Sequence, residues 1–356
     1  MEVLALLSDG FGAVGGIARY NQALMTALGA CPHISGVTIL PRFGTPTSPL
    51  PDGVVQQPAA GKFAWAARAL ASAARQKFDL VFCGHLNTVV LAAAIAKARH
   101  IPLWVQVHGI EAWEPRGRAV RAGLEAATIV TSVSRYTRRR LLSWSDISPD
   151  RVRVLPNTFT VSFVPRSRNT ALAEHLGLAG KRIVLTVGRL SATERYKGHD
   201  RIIRALPEVL RQVPDAAYLI VGTGDDRSRL EKLAIDEGVA HVVKFAGEVP
   251  EADLPDHFAV ADLFAMPSTG EGFGIVFLEA AASGLPVIGG NSDGSCDALA
   301  DGAIGCAVDP DDRAQLVEAI SAALQGRQLS QPDAVSRFAM ENFASHVDEL
   351  VRSLAR

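Results

Sequence analysis

Glu271 and Glu279 bracket the run EGFGIVFLE, and their spacing around a glycine-rich turn points to a specific chemistry. Such a turn, opening a helix, can aim backbone N–H groups and the helix N-terminus at an anionic ligand. Carboxylates beside an anion site are electrostatically costly, so these two are suited to accept hydrogen bonds from neutral hydroxyls. Phosphate and hydroxyls together suggest a nucleotide sugar.

The surrounding elements fit this placement. DLFAMPSTG (262–270) begins as an apolar strand and loses its pattern in Ser, Thr and Gly, and IVFLEAAASG continues as a helix capped by Gly284 with Pro286 beyond. Elsewhere strands are expected near 2–8, 37–41, 79–83, 103–107, 128–132 and 152–155. A second group follows near 183–187, 218–221, 242–246, 262–266, 286–289 and 304–308. Their alternation with helical patterns gives an α/β chain of parallel sheets covered on both faces. Two groups of strands imply two doubly wound, Rossmann-like domains, 1–165 and 166–332, with the crossing in the polar VPRSRNT (164–170) and a helical tail over 333–356.

Ligands of such domains sit at the carboxyl ends of strands. Asp9 to Gly16, His85, His108, Arg189, Gly222 to Gly224 and Glu271 all fall there. Two such edges facing each other would enclose a cleft, the expected active site.

Composition narrows the classes. The 356 residues suit two domains of medium size, with 48% hydrophobic and 21% charged residues. Apolar runs such as LAAAIA (91–96) fall short of a membrane span, and MEVLALLSDG reads directly into a strand rather than a signal peptide. Cys31, Cys83, Cys296 and Cys306 are widely spaced and read as buried free thiols, so a cytoplasmic location is expected.

Charge is unevenly divided. Residues 1–165 hold 17 Lys/Arg and 9 Asp/Glu, a balance of +8, whereas residues 166–356 hold 19 and 28, a balance of −9. RYTRRR (135–140), RGRAVR (116–121) and the basic amphipathic stretch 61–77, which carries Phe63 and Trp65, fit peripheral contact with the anionic inner face of the plasma membrane. The same patches also fit ordinary solvated helix faces. Aromatic content of 6% and the lack of a stacking platform argue against nucleic acid.

DGFGAVG (9–15) contains a literal GxGxxG between a strand and a helix. The dinucleotide fingerprint also expects an acid at the end of the second strand, but here VTIL runs into PRFG. Arg42 leaves an NADP-dependent oxidoreductase open. The alternative is that these glycines approach a different phosphate, with Gly15 and Gly16 nearest it.

With the glycine loop, His108, VGRL…YKG and EGFG-x4-E in this order, the chain resembles the retaining glycosyltransferases of family four, over essentially its whole length. VLPNTF (154–159) matches as well. The resemblance implies the GT-B fold, two Rossmann-like domains facing a central cleft, with the tail helix returning to the first domain. It implies that Arg189 and Lys197 neutralise the donor diphosphate, a role open also to Arg195 in the insert SATERY. It makes Glu271 the ligand of donor-sugar hydroxyls and Glu279 that of the ribose. Gly272, Phe273, Gly274 and Ile275 then lie along sugar and phosphate, Val249 near the nucleobase, and His108 near the anomeric centre. His85 is placed toward the acceptor. Taken alone, His108 is equally a satisfied polar group, and each glutamate a helix-terminal or surface acid.

The implied reaction moves a sugar from GDP-mannose or a UDP-sugar to a hydroxyl of a glycan or lipid-linked acceptor, with retention, in cell-surface polysaccharide or glycoconjugate synthesis. No carboxylate stands out for a double displacement, which favours a front-face route in which the leaving phosphate takes the acceptor proton. No cofactor or metal is expected beyond the nucleotide sugar as co-substrate. Asp309 and Asp311 in DPDD, and the acids of GTGDD, open helices and are read as complementing their N-termini. A nucleotide-sugar epimerase on the same architecture would also hold a diphosphate between two such domains, and a catalytically silent binding protein would carry the same pattern.

Overall fold

A computed structural model describes residues 1–327, 331 and 333–354. Pro332, at the expected domain boundary, and Ala355 and Arg356, in the expected tail, lie outside the described residues. The chain divides into two compact units, Met1–Thr158 with Phe338–Arg356, and Phe159–Arg337. The limits expected from the sequence stand at 165/166 and 332/333.

The first unit holds a seven-stranded sheet. Its strands are β1 (Glu2–Asp9), β2 (Gly36–Phe43), β3 (Val54–Gln56), β4 (Leu80–Cys83), β5 (Leu103–Val107), β6 (Ile129–Ser132) and β7 (Val152–Val154). They are ordered β3-β2-β1-β4-β5-β6-β7, and every pair is parallel. β1 shows why: Val3 through Leu7 are all fully buried, as a strand covered on both faces requires. The short edge strand β3 was not expected from sequence.

The second unit repeats the plan with six strands. These are β8 (Arg182–Val187), β9 (Ala216–Val221), β10 (Val243–Gly247), β11 (Leu263–Met266), β12 (Val287–Gly290) and β13 (Cys306–Val308), ordered β10-β9-β8-β11-β12-β13. Connectivity runs outward from β8 and then returns to β11 on its other side. The switch points are therefore β1/β4 and β8/β11, where this topology opens a crevice at the carboxyl ends.

The C-terminal helix Met340–Leu354 belongs to the first unit and buries Phe343, Val347 and Val351. Each such side chain contributes about 1.5–3 kcal/mol when fully buried. The helix meets Gly16–Ala30, where the rings of Phe343 and Tyr20 pack edge to face at 5.9 Å and Cys31 Sγ donates to Asp348 Oδ1 at 3.3 Å.

Candidate functional site

In the second unit, the loops that leave β8 and β11 converge on four charged residues. Leu190 N–H donates to Thr223 O at 2.9 Å and fixes the exit from β8. The insert then winds into a 3₁₀ helix, Ala192–Lys197, opened by Ser191, whose Oγ accepts from Thr193 N–H. Glu194, at a kink in this segment, accepts at Oε1 from Arg189 Nη2, and its Oε2 lies 3.6 Å from Lys197 Nζ. Lys197 Nζ also donates to Glu271 Oε1 at 2.7 Å. Arg189, Lys197 and Glu271 are thus brought into one cluster, at the β8/β11 switch point.

The cluster is shielded except at one end. Lys197, Glu194 and Glu271 are 14%, 13% and 13% exposed, whereas Arg189 is 79% exposed. Burial alone pushes the Lys197 ammonium toward deprotonation, but Glu271, Tyr196 and Glu194 outweigh it and hold its pKa above the ordinary value. Lys197 is therefore a fixed cation. Two cations and two carboxylates balance within the cluster, so an arriving dianion would find its counter-charges already held by acids. Arg195 is engaged elsewhere: its Nε donates to Asp226 Oδ1 at 3.0 Å.

Glu271 sits in the turn before the helix Ile275–Ala282, whose N-cap Gly274 has no side chain to cap the first turn. Gly272 follows Glu271, and Phe273 and Ile275 are buried. Glu279 lies on the inner face of this helix, 1% exposed. Val249 is half-buried just after the edge strand β10. Two functional candidates were missed from sequence: Glu194, and Asp293 after β12, whose Oδ2 accepts from Glu271 N–H at 2.7 Å. Asp293 had one signal, its position at a strand's carboxyl end. Glu194 stood in plain view between two cations.

In the first unit the glycines of 10–16 separate into two kinds. A Cβ on Gly12 would lie 1.9 Å from Thr45 O, and one on Gly10 would lie 2.5 Å from Gln56 Oε1. Gln56, on β3, accepts from Phe11 N–H at 2.8 Å and donates to Phe11 O at 3.1 Å, so the edge strand clamps this loop. These two glycines answer to the protein's own packing. Gly15 and Gly16, at the start of the helix Gly16–Ala30, have open space above them. Arg42 stacks its guanidinium 5.4 Å from the Phe43 ring.

His108 follows β5, and its Nε2 lies 2.9 Å from Gly84 O. A carbonyl can only accept, so Nε2 carries the proton and Nδ1 is the acceptor in the neutral ring. Burial lowers its pKa against the opposing pull of Glu111, which favours that neutral form. Tyr20 packs edge-on at 5.1 Å, and the His85 ring stacks at 6.2 Å. His85 itself is tied locally, its Nδ1 accepting from Asn87 N–H at 3.1 Å.

The acidic motifs are occupied with helix starts and arginines. Asp312 caps Arg313–Leu324 by accepting from Gln315 N–H at 3.0 Å, and Asp311 pairs with Arg201 at 2.9 Å. The basic patches are partly neutralised within the first unit: Arg140 pairs with Glu114, and Arg121 with Glu125 and Asp146. Trp65 departs from the expectation of a membrane-facing aromatic. It is buried and donates from Nε1 to Leu40 O at 2.8 Å, which leaves Phe63, 87% exposed, and Leu70 on the outer face of Lys62–Arg75. No helix among the described residues is long and apolar enough to cross a membrane.

Two family models match: Glycosyltransferase Family 4 over residues 14–163 and Glycosyl transferases group 1 over residues 168–339. A GDP-mannose-dependent alpha-(1-6)-phosphatidylinositol monomannoside mannosyltransferase of Mycolicibacterium smegmatis is 41% identical over 214 residues, covering 58% of this chain and 54% of the relative. The protein of that description from Mycobacterium tuberculosis is 38% identical over 248 residues, covering 66% and 64%. The chain thus spans somewhat more than half the length of these relatives. The crystal structure of Anabaena HepE in complex with UDP and glucose superposes with a TM-score of 0.78 at 20% identity, covering 99% of this chain and 100% of that one. The fold is that of the GT-B glycosyltransferases.

Proposed function

Because this chain belongs to the family 4 glycosyltransferases, we propose that it transfers mannose from GDP-mannose, with retention, to a hydroxyl of a lipid-linked glycan acceptor. The observation that carries this reading is the Arg189–Glu194–Lys197–Glu271 cluster at the β8/β11 switch point. A nucleotide diphosphate leaving the anomeric carbon gains negative charge, and fixed cations held in a partly buried site stabilise it without reorganising. Arg189 and Lys197 take this part, so the reaction does not call for a metal. Glu271 accepts hydrogen bonds from sugar hydroxyls, Glu279 from the ribose, and Gly272 to Ile275 border the sugar and phosphate. Val249 lies by the base. In the first unit, Gly15 and Gly16 are assigned to phosphate, and His108 to the sugar near its anomeric centre.

GDP-mannose is preferred over UDP-sugars because of the relatives' donor, and a lipid acceptor because the relatives act on phosphatidylinositol monomannoside. The +8 balance of residues 1–165 and the exposed Phe63 and Leu70 support peripheral contact with an anionic bilayer. Front-face displacement remains the preferred route, with the departing phosphate oxygen taking the acceptor proton. A panel of GDP-mannose and several UDP-sugars, read by thermal shift and by donor hydrolysis, tests the donor. Stabilisation by GDP-mannose above all is expected; indifference to every nucleotide sugar would overturn the proposal.

A further inference from the structure

The group that holds Glu271 in place lies outside its own loop. Asp293 follows β12 and is 3% exposed. Its Oδ2 accepts from Glu271 N–H at 2.7 Å and from Ser268 Oγ at 2.8 Å, and its Oδ1 accepts from Ser295 N–H at 2.9 Å. The next residue, Gly294, donates its N–H to Glu271 O at 2.9 Å. Both backbone groups of Glu271 are therefore bonded to the 293–294 turn. The approach is so close that a Cβ on Gly294 would stand 2.1 Å from Gly272 O. From this braced backbone the Glu271 side chain reaches Lys197.

A carboxylate this buried is costly unless its hydrogen bonds are met. Three donors converge on its two oxygens, and the one it holds most closely belongs to the backbone of a proposed sugar ligand. Burial pushes the Asp293 carboxyl above the usual range, against the lowering effect of the Glu271 and Ser295 N–H groups. An asparagine could not substitute: it offers a single oxygen, and its amide N–H would confront a backbone N–H.

We infer that Asp293 is a positioning residue, which sets the backbone at Glu271 so that its carboxylate is presented to the donor-sugar hydroxyls. This rests on the proposed function, in which Glu271 binds the sugar. A site held in its productive geometry before the ligand arrives loses affinity for the group it positions when the brace is removed, rather than for the ligand as a whole. The expected signature is selective for the sugar.

The test compares GDP with GDP-mannose, or with the UDP-sugar and UDP that the donor panel returns in their place, on wild type, Asp293→Asn, Glu271→Gln and the double variant. Calorimetry should find GDP affinity within about twofold of wild type in Asp293→Asn, with the KM for GDP-mannose raised about tenfold. In the Glu271→Gln background, Asp293→Asn should add less than about twofold, because both act on one interaction. Ser268→Ala, which removes one of the two donors to the same oxygen, should give a smaller loss of the same kind and serves if Asp293→Asn does not fold. Equal weakening of GDP and GDP-mannose, independent effects of the two substitutions, or an unchanged KM would overturn this inference alone. A wild type that binds no nucleotide sugar would overturn the functional reading itself, and this inference with it.

Discussion

Lys197 Nζ lies 2.7 Å from Glu271 Oε1, and this contact joins the loop after β8 to the loop after β11. It places a fixed cation and a hydroxyl acceptor side by side, which suits a substrate carrying phosphate next to a sugar. Lys197→Ala should lower kcat/KM by about 10²–10³-fold, as removal of a fixed electrostatic stabiliser does. Glu271→Gln should raise the KM of the sugar nucleotide while free GDP, which lacks the sugar and meets one acid fewer, binds no more weakly than to wild type. Steady-state kinetics with GDP-mannose, and titration with GDP, separate the two roles.

Glu194 holds the same two cations that the proposed diphosphate needs. It must give up Arg189 when the diphosphate binds, and its own charge opposes the newcomer. Glu194→Gln should therefore tighten GDP binding several-fold, because a like charge held close to the phosphates is removed. Titration at two salt concentrations checks it, with the advantage shrinking at high salt. Weaker GDP binding would instead make Glu194 an essential orienter of Lys197.

The glycine loop offers a paired test. Gly12 has φ 83°, and its Cβ would strike Thr45 O, so Gly12→Ala should destabilise the protein by about 1–3 kcal/mol. Gly16 has open space above it, so Gly16→Ala should fold with wild-type stability yet raise the donor KM. Urea unfolding and donor kinetics on the two variants give opposite patterns if the two kinds of glycine are distinct.

Behind Lys197 lies a buried chain whose protons can be placed. Thr186 Oγ1 donates to Ala265 O, so it accepts from Tyr218 OH at 2.9 Å, and Tyr218 in turn accepts from His199 Nδ1 at 3.1 Å. His199 thus carries a proton on Nδ1 and is buried. Burial first, and Lys197 second, lower its pKa to about 4. The unfolded chain, with an ordinary histidine near 6.5, binds the extra proton between these values, so the native state loses stability as pH falls from about 6.5 to 4 and shows no such loss above. His199→Gln should remove roughly 2–3 kcal/mol of that acid loss. The difference between wild-type and variant unfolding free energies at pH 7 and pH 4.5 measures it; a pH-independent difference would contradict the assignment.

Surface contact can be isolated on one helix. Phe63 and Leu70 face outward while Trp65 is core, so Phe63→Ser with Leu70→Ser should weaken sedimentation with anionic vesicles and leave unfolding unchanged. Trp65→Ala should instead destabilise the fold, by about 3–5 kcal/mol. Equal vesicle binding by wild type and the double variant would remove this helix from the membrane proposal.

The contrast between Trp65 and Phe63 also shows where sequence patterns stop. Long apolar runs such as VLALL and AAYLIV announced their buried strands, because a strand covered on both faces needs continuous hydrophobicity. β3 escaped because three residues, Val54 to Gln56, carry no period, although Gln56 clamps the glycine loop. Arg189 and Glu271 were legible as strand-end residues of the right types, and Lys197 only through the resemblance to the family. Glu194, five residues from Arg189 and three from Lys197, was within local reach but carried no motif of its own. Asp293 was not legible, since its importance lies in a contact across loops that local spacing does not encode. Asp293 meets Glu271 over a separation of 22 residues. Trp65 lay on an amphipathic helix whose inner face could be decided only by its partner, Leu40.

The proposed transfer, from a nucleotide sugar held by the Arg189–Lys197–Glu271 cluster to a lipid-linked acceptor, can be followed directly. The most direct measurement is transfer of labelled mannose from GDP-mannose to phosphatidylinositol monomannoside in anionic vesicles, with the anomeric configuration of the product read by NMR. An α-linked product is expected from wild type, with a loss of about 10²-fold or more in Lys197→Ala. Unimpaired transfer by Lys197→Ala, or a β-linked product, would contradict the proposal.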